Sequence, residues 1–540
     1  MSAPRRGAKW WGWGEPEQLP ELGAAPLAML RERLGDLQPG RRPDSIEDVE
    51  LPAARPLPDA VVRAVGEENV FSGGEDRVRH AAGKGYVDLA RLRSGRLEHA
   101  PDAVVLPDQA RIAPLLAACA AEEVAVVPFG GGTSVVGGVD PRSGGRERVI
   151  SLDLCRLRDV EVDERSLTAR LGAGLLGPEA ESALGSRGFT LGHFPQSFEY
   201  ATIGGFAATR SAGQASSGYG RFDAMVTSVR LVAPAGALST PEVPHSAAGP
   251  ALRELALGSE GVLGVIPDVT VRIHPAPEVS HYEAWMAESW DAGAEIVRAL
   301  AQAAELPDVI RVSDEEETRI SLALSGRGGI AGAAFNRYLS LRRRASGCLM
   351  IVGVLGGREA VARRRALAAR RLRAGGAIYL GRSAGAAWDR NRYQGPYLRD
   401  TLLDAGCMVE TLETAHEWSR LDELYSAVRT ALGDALEGQG TPGIVFCHLS
   451  HAYADGASLY FTFIACSRVG QEVEQWRAAK QAACEAIVGA GGTITHHHAV
   501  GLDHTPYMDA EVGETGLELL RAAKQQLDPA GILNPGKLLP

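Results

Sequence analysis

A glycine-dense loop directly after a short apolar run constrains this 540-residue chain more than any other feature. Val124–Val127 has the pattern of a buried strand, and Pro128-Phe-Gly-Gly-Gly-Thr-Ser-Val-Val-Gly-Gly138 follows it without a break. The backbone N–H groups of such a loop can converge on an anion such as a pyrophosphate. It is not a P-loop, because no Lys-Ser/Thr pair follows, and it lacks the GxGxxG pattern at the start of a helix. Taken alone, the loop fits either a simple turn or a ligand site.

Composition and charge exclude several classes of protein. The chain has 56 Lys and Arg against 67 Asp and Glu, a net charge of −11, which gives no electrostatic footprint for nucleic acid. Its seven cysteines are scattered and never spaced as CxxC, which favours reduced thiols in a cytoplasmic protein over a disulfide framework or a zinc ribbon. No apolar run approaches the ~20 residues of a membrane-spanning helix. The N-terminus has no apolar signal-peptide core.

The length predicts more than one domain, since single cores stop growing at about 250–300 residues, and from about residue 98 strands and helices alternate in an α/β pattern. We expect a mainly helical or irregular segment over residues 1–97, a first domain over 98–276 and a larger one over 277–540, with Pro275-Ala-Pro277 at the boundary. Residues 172–220 are turn-rich. Periodicity predicts helices at Pro26–Leu34, Gln109–Ala121, Glu359–Arg373 and Leu517–Leu527, and strands at Val104–Leu106, Val124–Val127, Val149–Leu152, Thr168–Leu171, Val226–Val232, Val265–His274 and Leu349–Leu355.

Two surface features leave alternatives open. Trp10, Trp11 and Trp13 fit a plug in a groove between domains, which we favour, or a contact with a membrane surface. The basic run Arg342–Arg344 fits a solvated helix face, or part of a lid together with the glycine-rich segment Gly326–Gly332.

Three later segments change the interpretation of the loop. They are Gly192–Gly213, Gly218–Asp223 and Gly258–Ile266, which mix small residues with hydrogen-bonding side chains. With Pro128–Ser134 they follow one another as in the FAD-binding domain of flavoproteins of the vanillyl-alcohol-oxidase type, which this part of the chain resembles.

That resemblance implies a fold and a cofactor. It implies a two-subdomain FAD-binding domain followed by a larger α+β substrate (cap) domain, whose C-terminal tail returns to the flavin. Thr133 stands where many members carry a flavin-linking histidine, so FAD is expected without a covalent bond there. The implied FAD contacts are Pro128, Phe129, Gly130, Gly131, Gly132, Thr133, Ser134, Gln196, Ser197, Phe198, Glu199, Tyr200, Ala201, Thr202, Thr209, Arg210, Ser211, Ala212, Glu260, Gly261, Val262, Leu263, Gly264, Val265 and Ile266.

Five other segments narrow the resemblance to the alkyldihydroxyacetonephosphate synthase family. They are Lys9–Gly14, Pro396–Asp400, Leu412–Trp418, Ser450–Phe461 and His496–His498. The resemblance implies an FAD-dependent transferase of ether-lipid synthesis, which exchanges the acyl group of acyl-dihydroxyacetone phosphate for a long-chain alcohol without net redox. It also implies a homodimer and lipid substrates, and allows peripheral contact with a membrane.

The same resemblance implies roles for individual residues. Tyr460 takes the acid/base role, while His497, His498 and His193 are active-site histidines. Arg311 matches an arginine needed for activity, and Arg399 and His496 match substrate contacts. These residue types suit the chemistry, because arginine binds phosphate through a fork of donors and Tyr or His can transfer protons.

Other interpretations of these residues remain open. Tyr460 also fits an apolar core, Arg311 an ion pair with Asp314 or Glu315, and Arg399 a surface pair with Asp400. The histidine triplet also fits a metal site, although we predict none because no HExxH or CxxC lies nearby.

The function has two rivals. Asp528–Lys537 resembles D-2-hydroxyacid dehydrogenases of the same superfamily, which makes an FAD-linked oxidase or dehydrogenase of a hydroxy acid or alcohol the alternative. A flavin-bound scaffold without turnover is the other rival, suggested only by the tryptophan cluster.

Overall fold

A computed structural model describes residues 8–324, 334 and 337–540 of the chain. Gly326–Gly332, considered above for a lid, lies outside the described residues. The helices are α1 Ala24–Leu34, α2 Asp59–Val65, α3 Gly74–Arg79, α4 Tyr86–Ser94, α5 Ile112–Ala121, α6 Gly177–Gly185, α7 Ile203–Ala208, α8 Ser216–Tyr219, α9 Phe222–Met225, α10 Leu252–Ala256, α11 Trp290–Gln302, α12 Glu315–Leu324, α13 Arg358–Ala374, α14 Arg382–Asn391, α15 Gly395–Asp404, α16 Leu421–Gly438, α17 Glu472–Gly489 and α18 Met508–Leu527.

The strands belong to three main sheets and one two-stranded pair. They are β1 Val70–Phe71, β2 Ala103–Val105, β3 Val124–Phe129, β4 Arg148–Asp153, β5 Val160–Asp163, β6 Thr168–Gly172, β7 Phe189–Thr190, β8 Val226–Ala233, β9 Gly236–Ser239, β10 Asp268–Arg272, β11 His274–Pro275, β12 Val279–Ala287, β13 Val309–Ser313, β14 Cys348–Gly356, β15 Ile378–Gly381, β16 Cys407–Glu417, β17 Ile444–Ala452 and β18 Gly456–Cys466.

Two of the sheets precede Pro275. The first has the order β1-β2-β4-β3, with β2 and β3 parallel to β4, and the second is antiparallel in the order β5-β6-β10-β8-β9. The strand β3 is a continuous apolar run because a parallel strand is covered on both faces. The glycine-dense loop therefore starts at the carboxyl end of a buried parallel strand, which is a common place for ligand sites.

The third sheet begins after Pro275 and has seven antiparallel strands in the order β15-β12-β14-β13-β17-β18-β16. Helices α11, α13, α16 and α17 contribute apolar side chains to one large core with this sheet. The central strands are long and are paired along most of their length. Side chains on the sheet face opposite this core are therefore held in fixed positions around the cavity described below.

The N-terminal tryptophans and the C-terminal segment are both packed into the body of the protein. Trp11 and Trp13 are buried, so they occupy a groove within the protein. Near the C-terminus, Leu533 forms a parallel bridge with Val126 of β3, and the Asn534 side chain donates hydrogen bonds to the carbonyl oxygens of Gly138 and Glu260.

Some elements differ from the sequence predictions. The turn-rich stretch contains the helices α6, α7 and α8, and the predicted strand Val265–His274 is divided into Asp268–Arg272 and the short β11. The helix α7 has the sequence IGGFAA, whose small residues give little periodic signal. The last helix begins at Met508 rather than Leu517, with a break at Gly513, whose φ is +69°.

No helix among the described residues is long and apolar enough to cross a bilayer. The seven cysteines are all free thiols.

Candidate active site

The glycine loop after β3 is shaped by the protein around it. A Cβ atom on Gly131 would lie 2.1 Å from the carbonyl oxygen of Tyr200, and one on Gly130 would lie 2.4 Å from Oγ1 of Thr202. Gly132 has a φ of +65°, which disfavours any side chain. Glycine is therefore required here for close packing on the segment around Tyr200–Thr202.

The loop also offers free donors to a large cavity. Gly131, Gly132 and Thr133 line a cavity of about 610 Å³, a size typical of cofactor and substrate sites. Among the described residues, their backbone N–H groups donate no hydrogen bond. Several adjacent unpaired donors in a concave loop suit the phosphates of a dinucleotide, so the residues present fit FAD.

Most of the predicted cofactor contacts line this cavity. They are Pro128, Phe129, Gly130, Gly131, Gly132, Thr133, Ser134, Gln196, Ser197, Ala201, Thr202, Thr209, Ser211, Ala212, Glu260, Gly261, Gly264 and Ile266. Tyr200 lines a second, smaller cavity next to it.

Six predicted contacts lie away from the lining, because their side chains are engaged elsewhere. Val262, Leu263 and Val265 are buried in the cores of the first domain. Arg210 forms ion pairs with Asp223 and Glu254. Phe198 stacks on Tyr393, and Glu199 accepts a hydrogen bond from the Tyr397 hydroxyl.

A buried carboxylate holds the histidine triplet in place. Glu413 of β16 accepts hydrogen bonds from the backbone N–H groups of His496, His497 and His498 and from the Thr495 hydroxyl, at 2.5 to 3.0 Å. Burial alone would raise the pKa of Glu413, but the histidines and these donors lower it well below its usual value. The carboxylate therefore stays charged and fixes the backbone of the triplet.

Tyr460 of β18 lies in the middle of the histidines. Its ring stacks on His448 of β17 at 4.8 Å and meets the His498 ring edge-on at 5.4 Å. Burial raises the pKa of Tyr460 to about 12, so the phenol is protonated at neutral pH. Burial lowers the pKa of His498 to about 3 and that of His448 to about 4, so both imidazoles are neutral. A proton donor thus lies beside neutral proton acceptors.

Arg311 belongs to a buried charged cluster at the same cavity. Its guanidinium donates to Glu317 of α12 at 2.5 Å and contacts Nδ1 of His448 at 2.9 Å. The sequence suggested Asp314 or Glu315 as the partner of Arg311. In the structure the partner is Glu317, because the first turn of α12 brings its carboxylate over β13. Arg311 and His448 hold the pKa of Glu317 far below its usual value despite burial.

Arg399 of α15 presents unpaired donors to the cavity. Its Nη1 donates to the carbonyl oxygen of Lys84 at 2.5 Å. Its Nε and Nη2 are buried and have no partner among the described residues. The neighbouring Asp400 instead accepts a hydrogen bond from the backbone of Trp13, so the surface pair of Arg399 and Asp400 is absent from the described contacts. A buried guanidinium with free donors is suited to an anion.

Two predicted histidines lie behind the cavity wall. His193 is fully buried, and its Nε2 contacts the hydroxyl of Ser211, which does line the cavity. His496 contacts the Tyr453 hydroxyl and His497 through its two ring nitrogens and is not part of the lining. Neither ring lines the cavity itself, but each contacts a residue that does, Ser211 for His193 and His497 for His496.

Three histidines form a group with metal-ligand spacing. Ring nitrogens of His451, His496 and His497 lie within 4.8 Å of one another. His451 Nδ1 is bonded to the Ser216 hydroxyl at 2.6 Å, and both nitrogens of His496 are also engaged. A metal would have to replace these bonds, so a site without metal stays our prediction.

One limb of the cavity is apolar. Its walls come from α1, α12, α15 and the strands β16 to β18, and they continue into a separate apolar cluster. The lining side chains of this limb are Leu22, Met29, Leu30, Ile320, Leu398, Leu402, Val409, Phe446 and Ile464. The limb suits a long hydrocarbon chain.

Sequence reasoning missed four residues at this site: Glu413, Glu317, His448 and His451. Glu413 lies in the segment Leu412–Trp418, which was noted only for its resemblance. Glu413 lies in a mixed strand, CMVETLETAHE, and its register opposite Tyr460 is visible only in the structure. The available signal was for His448 and His451, two polar residues in the apolar strand IVFCHLSHA. Glu317 had no comparable local pattern.

Comparisons with known proteins agree with this geometry. Residues 101–240 match the FAD binding domain family, and residues 276–538 match the C-terminal domain of FAD linked oxidases. The structure of p-cresol methylhydroxylase has the same fold, with a TM-score of 0.65 at 14% identity over 93% of this chain and 98% of that one. The protein is thus an FAD-dependent enzyme of two-domain flavoprotein architecture, which confirms the predicted fold and cofactor.

Two further matches identify the family. Alkyldihydroxyacetonephosphate synthase of Dictyostelium discoideum is 34% identical over 86% of this chain and 77% of its own length. A solved structure of alkyldihydroxyacetonephosphate synthase superposes with a TM-score of 0.83 at 29% identity, covering 99% of both chains. The chain belongs to the alkyldihydroxyacetonephosphate synthase family.

Proposed function

We propose that this enzyme converts acyl-dihydroxyacetone phosphate and a long-chain alcohol into alkyl-dihydroxyacetone phosphate and a fatty acid. The reaction breaks the bond between the acyloxy group and the substrate carbon and forms an ether bond from the alcohol oxygen. The alcohol loses its proton and the carboxylate leaves, so no electron acceptor is consumed.

One observation carries the proposal: a single cavity joins a flavin-binding loop, unpaired arginine donors, a tyrosine among neutral histidines and an apolar limb. A hydroxy-acid oxidase needs no long apolar limb, whereas two lipid substrates do. The comparisons support the same function, since the relatives of highest identity named above carry out this synthesis by name.

Arg399 is proposed to bind the substrate phosphate. Its free Nε and Nη2 can form the paired, charge-assisted hydrogen bonds that a phosphate accepts. Arg311 is already paired with Glu317, so its role is to fix His448 beside Tyr460 and to add positive potential.

Tyr460 and the histidines are proposed to move the protons. The phenol is protonated, and can donate to an oxygen of the departing carboxylate or substrate carbonyl. The neutral imidazoles of His497 and His498 can accept the proton of the alcohol. The residues of the glycine loop would hold the phosphates of FAD, and bound FAD would supply an electron-accepting ring to the reaction.

The proposal is tested with purified protein, palmitoyl-dihydroxyacetone phosphate and hexadecanol under anaerobic conditions without an acceptor. We expect alkyl-dihydroxyacetone phosphate and palmitate in equal amounts. Strict dependence of turnover on an electron acceptor, or bleaching of the flavin by a D-2-hydroxy acid, would instead identify the oxidase or dehydrogenase alternative.

Several predictions about organisation stay part of the proposal. They are the boundaries at residues 97/98 and 276/277, non-covalent FAD, a homodimer, and a cytoplasmic location with peripheral contact to membranes. Free thiols favour the location, and the lipid substrates favour the membrane contact. Trp11 and Trp13 are buried and do not provide that contact.

A further inference from the structure

Lys84 lies directly against the glycine loop, although it belongs to none of the flavin motifs. Its backbone N–H donates to the carbonyl oxygen of Ser134 at 2.6 Å. A Cβ atom on the preceding Gly83 would lie 2.4 Å from the same oxygen. The short segment before α4 is therefore packed onto the loop without room for adjustment.

The Lys84 ammonium lacks a compensating charge at close range. Among the described residues it forms no ion pair, and its nearest acceptors are the carbonyl oxygens of Lys9 and Trp10, at 3.4 and 3.5 Å. Burial lowers the pKa of Lys84 to about 8, although Asp400 partly opposes this effect. Lys84 is half-buried, and an ammonium that has only two long hydrogen bonds there is stabilised when an anion joins it.

The space around Lys84 opens toward the cofactor loop. Lys84 lines the main cavity and also the second cavity of about 270 Å³, and Gly131, Gly132 and Thr133 line both. Thus the side-chain cation and the unpaired N–H groups of the loop border the same spaces.

The N-terminal segment Lys9–Gly14 covers this region. The Lys9 ammonium donates to the carbonyl oxygen of Trp13 and lies 3.5 Å from Asp400, whose carboxylate also accepts from the Trp13 N–H at 2.6 Å. The Trp13 ring packs edge-on against Tyr200 at 5.3 Å. Residues of this segment line the second cavity together with Lys84, so charges there are less screened than at the open surface.

We propose that Lys84 is the side-chain cation of the FAD diphosphate site and supplies the positive charge that the glycine loop itself lacks. The substrate also carries a phosphate, but Arg399 has free donors for that group. The backbone N–H of Lys84, by contrast, is hydrogen-bonded to Ser134 of the glycine loop. The inference rests on the flavin and not on the proposed transfer reaction, so each can fail separately.

The test measures FAD affinity by titrating apoprotein and following the quenching of flavin fluorescence. We expect Lys84→Gln and Lys84→Met to raise the dissociation constant about 10- to 100-fold, the range of a hydrogen bond to a charged group. Lys84→Arg keeps the charge and should stay within about threefold of the native protein. Arg63→Gln, which removes a cation from the exposed face of α2, serves as the control and should change nothing.

The alternative, that Lys84 binds the phosphate of the substrate, is tested in the same variants at saturating FAD. The KM for acyl-dihydroxyacetone phosphate should be unchanged in Lys84→Gln. A raised KM with unchanged FAD affinity would assign Lys84 to the substrate phosphate and overturn the proposal. Unchanged FAD affinity in both neutral variants would also overturn it. So would failure of both neutral apoproteins to fold when Lys84→Arg folds, because the cation would then be structural.

Discussion

The two halves of the cavity are built in different ways. The cofactor half uses backbone and small residues from contiguous loops, above all Pro128–Ser134, where glycine permits close approach. The substrate half uses side chains from separate strands, such as Arg311, Glu413 and Tyr460, and its buried charges have specific partners, Glu317 for Arg311 and the histidine triplet for Glu413. Substitutions in the cofactor half should therefore impair FAD binding by steric blockade. Substitutions in the substrate half should impair activity or stability by removing single hydrogen-bonding groups.

The largest effect is expected in the cofactor half, for Gly131→Ala. The new methyl group would lie 2.1 Å from the Tyr200 carbonyl oxygen, and overpacking of this kind costs about 1–3 kcal/mol or more. We expect a colourless protein, measured as flavin absorbance per polypeptide. Gly185→Ala is the matched control, since nothing lies within 4 Å of its added Cβ. A yellow Gly131→Ala protein would contradict the close packing of the loop.

In the substrate half, Tyr460→Phe should lower ether formation by about 10²–10⁴-fold, the range of a lost proton transfer. The ring stacking on His448 is kept, so flavin content should hold. Turnover and flavin content are measured on the same preparation. Equal loss of both would show that Tyr460 supports the fold rather than the chemistry.

A smaller effect is expected for Glu413→Gln. One amide oxygen cannot accept all four hydrogen bonds, and the new NH₂ group would face donors. We expect a loss of about 3 kcal/mol in the free energy of unfolding. Chemical denaturation measures it, with the exposed Glu417→Gln on the same strand as control. Identical denaturation curves for the two variants would show that Glu413 does not stabilise the histidine triplet.

Acid sensitivity distinguishes His193 from an exposed histidine. Burial lowers the pKa of His193 to about 3, while the unfolded chain protonates near 6.5. Its contribution to stability is therefore complete above about pH 6.5 and is lost as the pH falls toward 3.

The variant His193→Gln lacks this pH-dependent contribution. Relative to the native protein, its free energy of unfolding should improve by about 2 kcal/mol between pH 7 and pH 5. The exposed His245→Gln is the control and should show no such trend. Parallel pH profiles for native protein and His193→Gln would show that His193 is not held neutral.

The smallest effect concerns the apolar limb. Leu30 of α1 lines it, so Leu30→Phe should shorten it and lower kcat/KM for hexadecanol about 10-fold, with little change for decanol. Leu252→Phe on the surface is the control. Equal losses for both alcohols would place the hydrocarbon chain elsewhere.

The difference between the halves also explains what could be predicted from sequence. The strand β3 and its loop form one continuous pattern that indicated a possible anion site, and the resemblance of the later glycine segments identified it as a flavin site. Even there the sequence could not show why Gly131 is glycine, because its neighbour Tyr200 is distant in the chain. The helix α7 was missed because its small residues pack by shape rather than by apolar periodicity.

The substrate half was predicted only through family resemblance. His448 and Glu413 flank Tyr460 through the register of β17 and β16 on either side of β18. A single histidine or glutamate in an apolar strand carries no local signal of its partners. Likewise, Glu317 reaches Arg311 only because α12 folds back over β13.

The central claim is that the two halves act together without net redox. It is tested most directly by the absorbance spectrum of the purified enzyme before and after many turnovers, under anaerobic conditions without an acceptor. The account predicts ether product in excess over enzyme and full recovery of the oxidised flavin spectrum when substrate is exhausted. Permanent bleaching after a single turnover, with no further product, would contradict it.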